Sequence, residues 1–317
     1  KIEGRVVSSI GEGAFSGQTR LREINLPKGL VRIGSAAFSD CANLTKMEIP
    51  DGVTVIGEGA FANDARLYEV VFGANSALSV IGNEAFRNCG LLSFELPQNV
   101  TLVNGTAFIG CTSLMNFTVR KGNPAFVASD GVLYSKTKTT LVAYPAGKTA
   151  KEFALPAETT TVGVNAFAFS KLTKIDLGNI ITIDRAAFAS SSLQSVVIPD
   201  TVTAVGESAF ASCINLNKVT LSRNLRKIAA GTFRNCASLS EIIIPSAVQQ
   251  LLSGAFENCF SLQSVIFEEN SELALIADSV FAKDDVRQID IPAGVLMIGA
   301  GAFAANTHLT RVTFAEG

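Results

Sequence analysis

The sequence predicts a repeat solenoid: stacked turns with a parallel β-sheet, short 3-10 or turn segments, and a β-hairpin insert mid-chain. Two observations carry this. The first is a phenylalanine, usually preceded by alanine, at Phe15, Phe38, Phe61, Phe86, Phe108, Phe167, Phe188, Phe210, Phe233, Phe256, Phe281 and Phe303. The intervals are 23, 23, 25, 22, 59, 21, 22, 23, 23, 25 and 22 residues, which makes twelve copies of one unit and one long interruption. The second is the placing of proline. Seven of the nine, Pro27, Pro50, Pro97, Pro156, Pro199, Pro245 and Pro292, stand 11 residues before a repeat phenylalanine and close an alternating run.

Each part of the unit has a physical reading. Runs such as Lys46-Met47-Glu48-Ile49 alternate with period 2 and read as short strands. The proline after them has no N–H, so the ladder stops there. A Val/Ile pattern follows, as in Val53-Thr54-Val55-Ile56-Gly57, and then a Gly-x-x-Ala-Phe turn with Phe inward. A leucine comes five or six positions after the Phe: Leu21, Leu44, Leu67, Leu92, Leu114, Leu172, Leu193, Leu216, Leu239, Leu262 and Leu309, with Val286 in the remaining copy. One such unit cannot bury its apolar residues alone; stacked copies bury them in a continuous column. Strands of successive turns then lie side by side about 4.8 Å apart.

The intervals 23, 23, 25 and 22 occur twice, from Phe15 and again from Phe210, an offset of 195 residues. Both 25-residue units carry a similar insertion, Phe72-Gly73-Ala74-Asn75-Ser76 and Phe267-Glu268-Glu269-Asn270-Ser271. A duplicated block of five repeats accounts for both. The expected organisation is a single solenoid over 1–317, with a first repeat block at 1–119, a β-hairpin insert at 120–150 and a second block at 151–317.

Units such as Ile33-Gly34-Ser35-Ala36-Ala37-Phe38-Ser39-Asp40-Cys41-Ala42-Asn43-Leu44, followed by Ile49-Pro50-Asp51-Gly52-Val53, resemble the BspA-like bacterial leucine-rich repeat proteins over essentially the whole chain outside the interruption. The resemblance implies a leucine-rich-repeat fold, a right-handed horseshoe or arc with the parallel β-sheet on its concave face. It also implies a cell-surface or secreted protein that binds host matrix proteins or other cells. Such an inference to function is analogy at the level of the fold.

Between Phe108 and Phe167 the strand-like stretches Gly131-Val132-Leu133-Tyr134-Ser135 and Thr140-Leu141-Val142-Ala143-Tyr144-Pro145 flank the polar turn Lys136-Thr137-Lys138-Thr139, which reads as a hairpin. It is either a splice between the repeat blocks or a projecting recognition element presenting Tyr134 and Tyr144.

Composition excludes several classes of function. Lys+Arg is 26 against Asp+Glu 28, so no basic surplus points to nucleic acid. No run of 18 apolar residues exists, so no membrane insertion is expected. The start, Lys1-Ile2-Glu3-Gly4-Arg5, lacks the apolar stretch of an export signal. Residues 2–5 match a protease-recognition tag, but Val6 and Val7 continue into repeat pattern, so the segment reads as the tail of a first repeat.

One histidine leaves little His-dependent chemistry. His308 reads as a surface residue. No P-loop is present, and fragments such as Gly11-Glu12-Gly13 are repeat turns. Cys41, Cys89, Cys111, Cys213, Cys236 and Cys259 each stand three residues after a repeat Phe, where other copies have Gln18, Asp64, Ser170, Ser191, Asp284 and Asn306. That spacing fits no zinc pattern. It reads as a ladder of unpaired structural thiols. The acidic residues Glu268, Glu269, Glu272, Asp284 and Asp285 lack a calcium-loop pattern and read as a solvated face. No cofactor is expected.

A surface remains. Outward strand positions form a central column, in which Val197, Thr220, Ile243 and Ile266 are consecutive and apolar or half-apolar. Ser195, Lys218, Glu241 and Ser264 flank them. Contiguous apolar exposure marks interaction sites. The expectation is a non-enzymatic binding or adhesion module meeting a protein ligand on the concave sheet, with Tyr134 and Tyr144 of the hairpin as a second point of contact. The alternatives are a carbohydrate-binding accessory protein, against which the lack of Trp counts, and an enzyme with an unrecognised carboxylate pair. Oligomeric state is left open.

Overall fold

The computed structural model describes residues 6–316. The reading made for Lys1–Arg5 lies outside the described residues. The chain divides into two compact units, Lys1–Lys148 and Thr149–Gly317, each a stack of parallel-stranded turns. No helix occurs among the described residues, and so none is long and apolar enough to cross a membrane.

Each regular turn carries two strands where sequence pattern marked one. The alternating run gives a long strand, and the Val/Ile pattern gives a second strand of two residues. In Lys1–Lys148 the short strands Ser9–Ile10, Arg32–Ile33, Val55–Ile56, Val80–Ile81 and Leu102–Val103 form one parallel ladder. Its long strands pair two by two, Lys46–Ile49 with Glu69–Phe72 and Ser93–Leu96 with Asn116–Val119. The expected continuous sheet of long strands is therefore interrupted. In Thr149–Gly317 the short strands form two ladders, Thr161–Val162 to Ala204–Val205 and Lys227–Ile228 to Met297–Ile298. The long strands again pair: Glu152–Ala154 with Lys174–Asp176, Ser195–Val197 with Lys218–Thr220, Glu241–Ile244 with Ser264–Phe267, and Gln288–Ile291 with Arg311–Phe314.

The prolines act as turn formers. After Ile49, the carbonyl of Pro50 accepts the Val53 N–H, and the same bond recurs at Pro97, Pro199, Pro245 and Pro292. The chain cannot extend the strand through a residue without an N–H, so it folds back.

The Gly-x-x-Ala-Phe segment is a ladder of tight turns rather than 3-10 helix. Ala37, Ser39 and Cys41 donate backward within their own turn, to Gly34, Ala36 and Phe38. Ala36, Phe38 and Asp40 donate across to Glu58, Ala60 and Ala62 of the next turn. Every second N–H is thus spent between turns, which a 3-10 helix would keep inside one. Positions two before and two after the Phe take positive φ, as at Ala36 (49°), Asp40 (62°), Asn63 (67°) and Asn235 (62°). Asn, Asp, Ser and Gly recur there because they tolerate the left-handed region.

The interior is two phenylalanine stacks. From Phe15 to Phe108 successive ring centroids lie 5.2 to 5.6 Å apart with planes within 8° of parallel. From Phe167 to Phe303 they lie 4.9 to 5.4 Å apart. Phe61 and Phe233 have no exposed surface. Buried leucine, isoleucine and valine cluster with the rings of the first stack.

The mid-chain insert has three antiparallel strands, Phe126–Ser129, Val132–Ser135 and Thr140–Ala143. Asp130 and Gly131, both at positive φ, make the first two-residue turn. The insert is docked, not projecting: the Phe117 N–H donates to the Gly131 carbonyl, and the Gly147 N–H donates to that of Leu114.

Candidate functional site

The outward face of the long strands in Thr149–Gly317 follows from period-2 alternation. Val196, Ile242, Ile244 and Val265 point into the core, so their neighbours point out. Val197 is 63% exposed, Ile243 45% and Ile266 43%, with Thr220 exposed between them. The ladders place Val197 opposite Thr220 and Ile243 opposite Ile266. Lys218 and Glu241 are exposed beside this strip, and Ser195 and Ser264 are half-buried.

Tyr134 and Tyr144 do not join any exposed surface. Both are at most 4% exposed, turned into the core by the docked insert, and the idea of a recognition hairpin presenting them is corrected accordingly. His308 is exposed and paired with Asp285. The acidic residues do not converge: Glu272 accepts from Arg226 and Gln249, Glu268 accepts the Ser246 N–H, and Asp284 is buried. Among the described residues no group of three or more His, Cys, Asp or Glu could hold a metal ion.

A second apolar column was not anticipated. Tyr68, Leu92 and Met115 are 46%, 54% and 44% exposed on three successive turns of Lys1–Lys148. Main-chain bonds put them in register: Leu92 N–H donates to the Tyr68 carbonyl and Met115 N–H to that of Leu92. Sequence pattern assigned Leu92 to the buried leucine column, but Leu91 fills that place with no exposure. The loop after Cys89 is one residue shorter than the loop after Cys41, and Gly90 allows the shortening. A Cβ there would lie 2.3 Å from the Ala65 carbonyl oxygen. Ile214 and Phe260 are also exposed. They follow Cys213 and Cys259, where Cys41, Cys89 and Cys236 are followed by Ala or Gly, a departure visible in the sequence.

Beside Tyr68 lies a groove of about 860 Å³ lined by Asn25, Lys46, Glu48, Asp51 and Val71 among others. Lys46 bridges Glu48 and Glu69 at 3.3 and 3.4 Å on its wall.

The six thiols are free and buried. Each donates to the carbonyl of the preceding turn's phenylalanine at 3.0 to 3.2 Å, Cys41 to Phe15, Cys89 to Phe61, Cys111 to Phe86, Cys213 to Phe188, Cys236 to Phe210 and Cys259 to Phe233. Burial pushes Cys41 and Cys213 up to about 11 and Cys111 to about 12, so no nucleophilic thiolate forms at neutral pH.

Comparisons with known proteins fit this architecture. The BspA type leucine rich repeat region matches residues 2–115, 144–263 and 181–311, in six copies. A leucine-rich repeat protein from Eubacterium ventriosum is 28% identical with a TM-score of 0.80, covering 91% of this chain and 83% of its own. A leucine rich cell surface protein from Faecalibacterium prausnitzii is 22% identical with a TM-score of 0.61, over 99% of this chain and 81% of its own. The pneumococcal vaccine antigen PcpA is 24% identical with a TM-score of 0.67, over 98% of this chain and 66% of its own. The last two identities speak for the fold alone. No curated protein matches the sequence significantly.

Proposed function

This chain belongs to the BspA-type leucine-rich repeat family, and we propose that it is a non-enzymatic binding module of a surface or secreted bacterial protein. Its partner is a protein, met on the outward face of the long strands in Thr149–Gly317. The observation that carries this reading is the strip Val197, Thr220, Ile243 and Ile266, exposed on successive long strands. Its branched side chains supply apolar contact, and Ser195, Lys218, Glu241 and Ser264 orient the partner at its edge. In such interfaces a few desolvated apolar anchors carry most of the affinity. The surface setting is an analogy at the level of the fold: two structures that share it are described as a cell surface protein and as a vaccine antigen.

The test is binding to immobilised extracellular-matrix and cell-surface proteins. Ile243→Asp with Ile266→Asp should weaken any binding found at least tenfold, and Glu48→Ala should leave it unchanged. Undiminished binding by the double variant would move the site elsewhere.

A second reading, carbohydrate binding, is favoured by the groove beside Tyr68. Of the three tyrosines, Tyr68 is the exposed one, and the groove offers Asn, Asp, Glu and Lys side chains to hydroxyl groups. A glycan array probed with the wild type and Tyr68→Ala separates the two readings.

A further inference from the structure

Two members of the thiol column are carboxyls. Asp64 stands between Cys41 and Cys89, and Asp284 between Cys259 and Asn306. Both are buried, at 0% and 5% exposure. One oxygen of each is used: Asp64 Oδ1 accepts the Cys41 N–H at 2.7 Å, and Asp284 Oδ1 accepts the Cys259 N–H at 2.8 Å. The other oxygen of each, Oδ2, is buried with no hydrogen-bond partner.

The cysteines and Asn306 show what such a rung can do. Each cysteine donates its S–H to the phenylalanine carbonyl of the preceding turn, which also accepts an N–H from its own turn. Asn306 does the same with its amide: Nδ2 donates to the Phe281 carbonyl at 2.6 Å while Oδ1 accepts the Val286 N–H at 3.0 Å. The phenylalanines one turn before Asp64 and Asp284 are Phe38 and Phe256. Their carbonyls accept the N–H of Cys41 and Cys259, but among the described residues no side chain donates to them. Two carbonyls without a side-chain donor thus stand one turn before two carboxyls that each have an oxygen without a partner. An ionised carboxylate has no proton to give, whereas a carboxylic acid has one.

We propose that Asp64 and Asp284 stand in the folded chain as neutral carboxylic acids, each donating its Oδ2 proton to the phenylalanine carbonyl of the preceding turn, so that each stack is firmer in acid than in alkali.

The surroundings support neutrality. Around Asp64 the titratable groups are Cys41, Cys89 and the exposed Asp40, whose negative charge disfavours a second one. Around Asp284 they are Cys259 and Glu257, the latter held by Arg234 and Lys283. Burial is the larger cause in both, and it raises each carboxyl to about 8, against the pull of the cysteine N–H. Since the folded value lies above the unfolded one, the stabilisation is complete below about pH 4, the unfolded value. It is lost as pH climbs toward about 8.

The experiment compares the wild type with Asp64→Asn/Asp284→Asn, which keeps a donor and an acceptor at each rung without a titrating proton. Urea unfolding is followed from pH 4.5 to 9, and the carboxyl ¹³C shifts of aspartate are followed over the same range. The wild type's unfolding constant should rise relative to that of the variant, by up to about tenfold per pH unit for each carboxyl. Two aspartate carboxyls should remain protonated at pH 6. Parallel stability profiles, or aspartates that all titrate in the ordinary range near pH 4, would overturn the proposal. Should the Asn variant not fold, Asp64→Cys/Asp284→Cys installs the column's commonest rung and is read in the same way.

Discussion

Lys1–Lys148 and Thr149–Gly317 are built on one set of buried columns and differ in what they show to solvent. At the residue just before the long strand, the first unit carries the exposed Tyr68, Leu92 and Met115, where the second has Gln194, Asn217, Ser240 and Gln263. At the centre of the strand the pattern reverses. The second unit shows Val197, Thr220, Ile243 and Ile266, where the first has Glu48, Val71, Glu95 and Thr118. The buried rings and leucines cannot vary without leaving a void, and the thiol rung varies only among Cys and small or amide and carboxyl side chains. Outward positions carry no such constraint, so duplicated blocks diverge there. The comparison teaches that an apolar residue in an outward column is informative because nothing in the fold demands it.

The strongest challenge to this comparison is to cut each stack at its centre. Phe61→Ala and Phe233→Ala should each destabilise by about 3–5 kcal/mol, read as loss of urea midpoint. A clearly smaller loss in one unit would mean that the stacks are not equivalent. Next comes Gly90→Ala, which forces a methyl group against the Ala65 carbonyl oxygen and should cost about 1–3 kcal/mol. Gly59→Ala meets only the Ala62 side chain at 3.8 Å, so its cost is confined to the strain of a residue at φ +58° and should be the smaller of the two.

Exchange of surfaces sharpens the comparison further. Ile243→Asp with Ile266→Asp should leave the melting temperature nearly unchanged and cost about 1.4 kcal/mol or more of affinity for a protein partner. Leu92→Ser with Met115→Ser should leave that affinity unaltered, and if it weakens binding instead, the partner spans more than one apolar column. The smallest effect concerns the thiols. Reductant should not shift the melting temperature, and labelling of the native chain by a thiol reagent should be slow at every cysteine, because each is buried with its proton engaged.

Much of this was legible in sequence because the repeat is its own alignment. Phe61 and Phe233 could be placed in the core, and Ile243 and Ile266 outside it, from spacing alone. Legibility failed where neighbouring residues had equal claims. Leu91 and Leu92 are chemically identical, and only the short loop permitted by Gly90 decides which is buried. Tyr68 and Met115 fall between the landmarks of the period, so no pattern marked them. Tyr134 and Tyr144 lie in the insert, which has no second copy to compare with, and their burial depends on how it docks. The carboxyls of Asp64 and Asp284 could be seen as ladder members, but their protonation depends on a carbonyl one turn away.

The exit of the long strand has a consequence for how such a chain can change. The turn ladder bonds every second residue to the next turn, so an added residue there would break the count. Gains in length fall elsewhere: Gly73–Ser76 follows the strand Glu69–Phe72, Glu268–Ser271 follows Ser264–Phe267, and the three-stranded insert follows Asn116–Val119. That junction is a permissive graft point. Foreign loops placed after Ile49 or Ile244 should be carried without disturbing the turns on either side, which makes the strand exit the natural place for relatives to vary and for an engineer to write.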